Sequence, residues 1–360
     1  TTGREAKTIH RLLEYSFAED GVGMSFMRDG EDPLTADVII IDEVSMIDIL
    51  LMHHLLKAIM PGTRLILVGD VDQLPSVGPG NVLHDIIESG IVKVVRLTEI
   101  FRQAGESMIV VNAHKINKGL KPRLNAKGKD FFFISKKNQD DILYTIKELC
   151  LKRLPSFNNC DPIKDIQVLT PMKNSKVGTI NLNRELQDIL NPKSNMKKEK
   201  KIGDRLFRVG DKVMQIKNNY NIKWKSEDGL REGEGVFNGD IGYVCDIDEE
   251  LKTLTVFYDD EKYVEYDFAG LDEIELAYSI TIHKSQGSEF PIVVMPISWG
   301  PPMLLNRNLL YTAVTRAKRL VVLVGAEKYL YMMIKNKRDT DRNSGLGYRF
   351  RRIIDENILE

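Results

Sequence analysis

Two carboxylates, Asp42 and Glu43, follow directly on the apolar run Val38-Ile39-Ile40-Ile41. Parallel sheets bind ligands at the C-terminal ends of their strands. A pair of acids there suits a Walker-B arrangement, the first holding Mg²⁺ on nucleotide phosphates and the second orienting or deprotonating an attacking water. Taken alone, a strand end with solvated acids reads the same way. A second apolar run, Arg64 to Val68, leads into Gly69-Asp70-Val71-Asp72-Gln73-Leu74-Pro75-Ser76-Val77-Gly78-Pro79-Gly80. As turn chemistry this loop could simply connect two elements. As a phosphate-facing loop, it offers the neutral amide of Gln73 as a γ-phosphate sensor that adds no charge. Arg102 and Arg316 carry planar guanidinium groups of the kind that stabilise a transferring phosphoryl group, although each alone reads as solvated charge, Arg316 on a helix with Lys318 and Arg319. Thr281, His283 and Lys284 gather hydroxyl, imidazole and ammonium groups suited to the phosphates of a single strand; a polar helix start is the plainer alternative.

The elements that must position these groups follow a clear rhythm. From Ala36 to Leu97, DVIII, SMIDILLMHHLLKAI, RLILV, NVLHDII and VKVV predict strand, helix, strand, helix, strand, the alternation of a parallel α/β sheet. After Phe131 the rhythm returns: FFFIS, a helix over 140–153, IQVLT, a helix over 179–190, then PIVVMPI and LVVLVG. Between Ile202 and Phe268 the texture changes to short strands and turns, including Asn238-Gly239-Asp240, which predicts a small inserted β-barrel. Upstream, LLEYSF and MSFMRD flank a glycine-rich acidic segment and could pair as an exposed hairpin.

The 360 residues allow two or three domains. A net charge of −1 argues against a general basic coat, so any nucleic-acid track must be local. The basic residues Lys197, Lys198, Lys200 and Lys201, and Lys335, Lys337, Arg338, Arg342, Arg349, Arg351 and Arg352, read as solvated surface. Cys150, Cys160 and Cys245 have no metal-site or disulfide spacing, and no apolar run reaches membrane-span length, so a soluble, cytoplasmic protein is expected.

The run IDEVSM followed by GDVDQLPSVGPG resembles motifs II and III of the RecD family of superfamily-1 DNA helicases, which translocate 5′ to 3′. Further segments are similar in the same order: Thr8-Ile9-His10-Arg11 to an early DNA-contacting motif, Thr98 to Gln103 to motif IV, Thr281 to Phe290 to motif V, and Leu310 to Lys318 to motif VI. The segments PMKNSKVGTINLNRELQ, RVGDKVMQIKNNY and VFNGDIG resemble the family's second motor domain and its inserted barrel.

The resemblance implies two RecA-like parallel-sheet domains. The first, 1–125, is truncated at its N-terminus and carries a strand-separating hairpin over about 14–33. The second comprises 126–201 and 269–360, with the barrel at 202–268. It also implies ATP and Mg²⁺ as cofactors, with Asp42 the magnesium acid, Glu43 the water-activating acid, Gln73 the γ-phosphate sensor, and Arg102 and Arg316 the transition-state arginines. Gly287 and Glu289 fall to the nucleotide, Glu289 at its sugar, and Thr8, His10, Thr281, His283 and Lys284 to DNA. Single-stranded DNA and single/double-strand junctions become the expected partners of a monomer acting in recombination and repair.

One motif is missing. No G-x-x-x-x-G-K-[ST] phosphate loop occurs; Gly128-Lys129 is followed by Asp130 and lacks the upstream glycine. The chain is therefore expected to be a motor fragment unable to hydrolyse ATP alone, the alternative being a non-catalytic DNA-binding or docking subunit of an exonuclease complex.

Overall fold

A computed structural model describes residues 6–17, 24–97, 107–125, 130–258, 261–337, 342 and 344–358. It divides into two compact units, residues 1–99 with 338–360, and residues 100–337.

In the first unit a short helix α1 (Ile9–Leu12) leads into β1 (Tyr15–Phe17), which pairs antiparallel with β2 (Met24–Phe26), Tyr15 opposite Phe26. This is the base of the expected hairpin; its tip lies outside the described residues. Then come β3 (Val38–Ile41), α2 (Ile49–Lys57), β4 (Arg64–Leu67) and α3 (Val82–Ser89), with a C-terminal helix (Leu346–Ile358) packed on α3. Strands β3 and β4 run parallel, Val38 beside Arg64 and Ile41 beside Leu67, as a β–helix–β connection demands. Ile39 and Ile41 turn inward onto Val44, Met52, Leu55 and Val82. The expected third strand, VKVV, does not form: residues 92–95 carry no ladder pairing among the described residues, and Val92, Val94 and Val95 are exposed. A β-branched run has strand propensity, but without a neighbouring strand to meet its N–H and C=O groups, propensity alone makes none.

The second unit holds α4 (Met108–Asn117), β5 (Phe131–Ser135), α5 (Gln139–Glu148), α6 (Leu154–Asn158), β6 (Ile166–Thr170) and α7 (Thr179–Leu190). The expected helix over 140–153 is α5 followed by a π turn, Leu149–Arg153, that continues into α6. After an antiparallel insertion the α/β rhythm resumes with β16 (Ser279–Thr281), β17 (Phe290–Ile297), α8 (Arg307–Thr315), β18 (Ala317–Gly325) and α9 (Glu327–Lys335). The five strands lie in the order β16-β6-β17-β18-β5, every pair parallel. Ile166, Val168, Ile292, Val294, Leu320 and Val322 join one core with Ile142, Ile146, Leu182 and Leu186 of α5 and α7. The alternate residues Val293, Met295, Val321 and Leu323 are equally buried on the opposite face, where α4, α8 and α9 pack. A parallel sheet covered on both faces explains why these strands read as unbroken apolar runs.

The insertion begins with a two-stranded ribbon, β7 (Glu199–Ile202) and β8 (Arg205–Arg208). It continues through β9 (Lys212–Gln215), β10 (Asn219–Ser226), β11 (Glu232–Val236), β12 (Ile241–Asp248), β13 (Thr253–Tyr258), β14 (Lys262–Asp267) and β15 (Ile274–Leu276). The last seven form one antiparallel sheet, β11-β10-β14-β13-β12-β9-β15, around a core of Phe207, Val213, Val244, Ile247, Leu254, Val256, Val264 and Leu271. Buried Asp211 ties this sheet to α7. It accepts hydrogen bonds from Gln187 Nε2 at 2.6 Å, Asn191 Nδ2 at 2.7 Å, Tyr278 Oη at 2.9 Å and the Arg208 amide at 2.7 Å. Burial pushes the Asp211 carboxyl above its usual range against the pull of those donors.

Candidate functional site

In the first unit the phosphate-side candidates sit where β3 and β4 end. The Val68 amide donates to Ile41 O at 2.8 Å and the Val44 amide to Val68 O at 3.0 Å, so the two strand ends are stitched together just past Asp42 and Glu43. Asp42 is exposed, and its Oδ1 accepts from the Glu43 amide at 2.8 Å. Glu43 occupies left-handed backbone space at φ 53°, costly for a residue with a Cβ and the sort of local strain that collects at functional positions.

The loop after β4 is organised by Asp70. Its Oδ1 accepts from the Asp72 amide at 3.0 Å and its Oδ2 from Gln73 Nε2 at 3.3 Å, which fixes the buried Gln73 side chain. The loop then folds back on the start of α2. There Asp48 caps the helix by accepting from the Leu51 amide at 2.8 Å, and the Ile49 amide donates to Pro79 O at 2.9 Å. Arg342 completes the arrangement by donating to the carbonyls of Ser76 at 2.7 Å, Gly78 at 2.8 Å and Gly80 at 2.9 Å. The sequence placed Arg342 among solvated basic residues. It is instead half-buried against this loop, because three carbonyls converging on one point need a donor with several N–H groups in a fixed fork. No motif could have revealed it; Arg342 is distant in sequence and sits in an ordinary basic run.

Thr8 uses its hydroxyl to cap α1, accepting from the Arg11 amide at 3.3 Å. His10 is half-buried in an aromatic group, its ring 5.5 Å from that of Tyr15 and 5.6 Å from that of Phe26. Burial lowers its pKa from the ordinary value of 6.5, and the nearby Asp48 partly opposes this. His10 therefore braces the base of the hairpin, and Thr8 fixes the start of the helix that carries it. Arg102 lies outside the described residues.

The remaining candidates fall in the second unit, on one edge of its sheet. Thr281 ends β16, and His283 and Lys284 lie on the 3₁₀ turn Ile282–Ser285, with Lys284 Nζ 3.3 Å from Glu275 Oε2. Gly287 turns the chain at φ 77°, which a residue with a Cβ rarely adopts. Arg316 lies beneath this turn. Its side chain is 5% exposed, its guanidinium donates to Ser288 O at 3.3 Å, and its carbonyl accepts from the Phe290 amide at 2.8 Å. Its Nε has no hydrogen-bond partner within the described residues. A buried guanidinium N–H without an acceptor is a costly group that a water or an anion would satisfy. Arg316 does not share a helix with Lys318 and Arg319, as the sequence suggested. It caps the end of α8, and those two lie on β18, because the apolar run LVVLV draws the strand start back to Ala317. Glu289 pairs with Lys318 at 3.2 Å, both side chains 57% exposed, a contact weak enough to exchange for another partner. Ser288 and Glu289 also border a cleft of about 330 Å³ with Lys164, Lys212, Tyr243 and Lys262.

No group of three or more His, Cys, Asp or Glu side chains that could hold a metal ion occurs among the described residues, so a magnesium ion at Asp42 would complete its shell with waters and phosphate oxygens. No helix among them is long and apolar enough to cross a membrane.

Three family profiles match the chain: an AAA domain over residues 1–79, the ATP-dependent RecD-like DNA helicase SH3 domain over 182–258, and the UvrD-like helicase C-terminal domain over 276–324. The chain is 33% identical over 350 residues to the ATP-dependent RecD2 DNA helicase of Deinococcus radiodurans, covering 97% of itself and 44% of that protein. It is 29% identical over 367 residues to the RecBCD enzyme subunit RecD of Mycolicibacterium smegmatis, covering 97% of itself and 60% of that protein. The chain thus spans about half the length of these relatives. A crystal structure of Pif1 helicase from Bacteroides in complex with ADP-AlF3 and ssDNA aligns with a TM-score of 0.49 at 19% identity, over 99% of this chain and 80% of that one.

Proposed function

This chain belongs to the RecD-type superfamily-1 helicases, and from that premise we propose that it is the motor portion of an ATP-dependent DNA helicase moving 5′ to 3′ on single-stranded DNA. The domain limits 1–125, 126–201 with 269–360, and 202–268 belong to this reading, except that α4 falls in the second compact unit and the helix Leu346–Ile358 packs on α3 in the first; a strand-separating role for the hairpin that begins at β1 belongs to it too. The observation that carries it is the buried Arg316, whose Nε has no acceptor among the described residues beneath the Gly287 turn.

A bound magnesium nucleotide would supply the phosphoryl group to be transferred to water. The residues divide the remaining work. Asp42, exposed at the strand end, holds the metal ion, and Glu43 orients the attacking water. Gln73, pinned by Asp70, reads the γ-phosphate through a neutral amide. Arg102 and Arg316 meet the charge that develops there, and Gly287 and Glu289 bound the nucleotide, Glu289 at its sugar. Thr8, His10, Thr281, His283 and Lys284 face the strand. The direction of travel is supported by the family resemblance of the motifs.

Glu43→Gln in the full-length protein is expected to abolish DNA-stimulated ATP turnover while leaving nucleotide binding largely intact. Normal turnover by that variant would remove the assignment. The sequence given contains no lysine-bearing phosphate loop, and these 360 residues alone are expected to bind a fluorescent nucleotide weakly and to turn over no ATP. Micromolar binding with turnover would contradict this. A duplex with a 5′ single-stranded tail, set against one with a 3′ tail, tests the direction.

A further inference from the structure

We propose that Trp299, together with Met303, forms a nucleobase platform on the second unit against which single-stranded DNA stacks; this rests on the DNA-motor reading above and adds a contact to it. Both side chains are strongly exposed, Trp299 at 66% and Met303 at 79%, although an indole and a thioether are among the groups most favoured by burial. Exposed apolar side chains on a loose loop would mean little. This loop is not loose.

Ser298 and Leu305, at either end of the segment, are buried. Gly300 approaches Met172 so closely that a Cβ there would lie 2.8 Å from its Sδ. Asn336 Nδ2 donates to Pro302 O at 2.8 Å and to Leu305 O at 2.9 Å, and Asn306 Nδ2 donates to Met303 O at 3.1 Å. Pro301 and Pro302 fix two further backbone angles. The backbone is thus tied down on both sides while the two large apolar side chains face solvent. Rigid, pre-organised exposure of an aromatic group lowers the entropy lost on binding and marks a contact surface.

Position on the sheet selects the occupant. Across the register, Thr281 lies beside Thr170, and Val294 lies beside Val168, which in turn faces Ser279. The end of β17 therefore stands level with the end of β16, two strand spacings or on the order of 10 Å away. Trp299 follows β17 as His283 and Lys284 follow β16, on the same C-terminal edge of the parallel sheet, where ligands of such sheets bind. A sheet edge with phosphate-seeking hydroxyl, imidazole and ammonium groups after one strand and an exposed indole two strands along matches a single strand, whose backbone needs the former and whose bases stack on the latter.

The chain has two tryptophans, Trp224 in β10 and Trp299, so a single substitution isolates the signal. In the Trp224→Phe variant of this 360-residue chain, titration with an oligothymidylate is expected to quench the remaining indole emission. Trp299→Ala is expected to weaken binding of a dye-labelled oligothymidylate about tenfold, with Trp299→Phe retaining most of the affinity. Because stacking displaces no counterions, Trp299→Ala should leave the slope of log affinity against log salt unchanged, whereas Lys284→Ala should reduce it. DNA binding without quenching, and with Trp299→Ala matching the parent, would overturn the platform and leave the motor reading standing. Failure of the parent chain and the Trp224→Phe variant alike to bind DNA would overturn both.

Discussion

The two parallel sheets are built from similar apolar strands yet hold their share of the site by different physics. In the second unit β17 and β18 are buried on both faces, and Arg316 is fixed by the packed layers around it. In the first unit β3 buries only alternate residues; Val38 is 48% and Ile40 65% exposed. There the positions near Asp42 and Gln73 are set by polar tethers: Asp70 on Gln73, Asp48 on the start of α2, and Arg342 on three loop carbonyls. Packing gives rigidity that only a cavity disturbs. Tethers give rigidity that the loss of one donor, or a change of charge, can release.

This contrast can be broken at several points. The largest effect is expected from Leu323→Ala in β18, where a fully buried side chain leaves a cavity; it should lower stability by about 2–5 kcal/mol in urea unfolding. Ile40→Ala on the open face of β3 should cost less than about 1 kcal/mol, and the reverse order would end the distinction. Next, Arg342→Ala should raise amide exchange in the loop 76–80 about tenfold, as expected for losing hydrogen bonds from a charged donor, while exchange in β17 and β18 stays unchanged. Equal change in both units would show that the loop is not tethered locally.

The smallest effect concerns His10. Burial lowers its pKa below the unfolded value of 6.5, so the unfolded chain takes up the proton first as pH falls. The stability from a neutral His10 is fully present above about pH 6.5 and is lost as pH falls through that value towards the folded pKa. Amide exchange at the hairpin base, followed across this range, should rise on the acid side, and His10→Phe should flatten the profile. A profile identical in the two proteins would exclude His10 as the cause.

The elements of the second unit were legible because their strands are buried on both faces and leave unbroken apolar runs between amphipathic helices; FFFIS, IQVLT and LVVLVG read as strands and are strands. Strand β10, NYNIKWKS, is harder to read from composition because asparagine and lysine, residues depleted in strands, take half of its positions and it contains no β-branched cluster. VKVV failed the opposite way, having the composition of a strand and no partner strand among the described residues. At the candidate site, residue type and motif order nominate the acids, the amide and the arginines, and their roles stay proposals, Arg102 lying outside the described residues. Arg342 and Asp70 were invisible because their roles depend on backbone carbonyls and turns that no residue type announces.

The insertion after α7 has a consequence for how the second unit forms. Gln167 in β6 bonds to the carbonyl of Tyr278 at 3.3 Å across 111 residues of chain, and β6 pairs with β16 over a similar span. Closing so long a loop while it is a random coil is slow and costly in entropy. The antiparallel sheet from β9 to β15, joined by short turns and carrying its own core, can collapse first and bring its two ends together through the β9–β15 pair. Folding of the parallel sheet would then await the insertion, and a lesion deep in that sheet, such as one at Val256, would delay the assembly of strands it never touches.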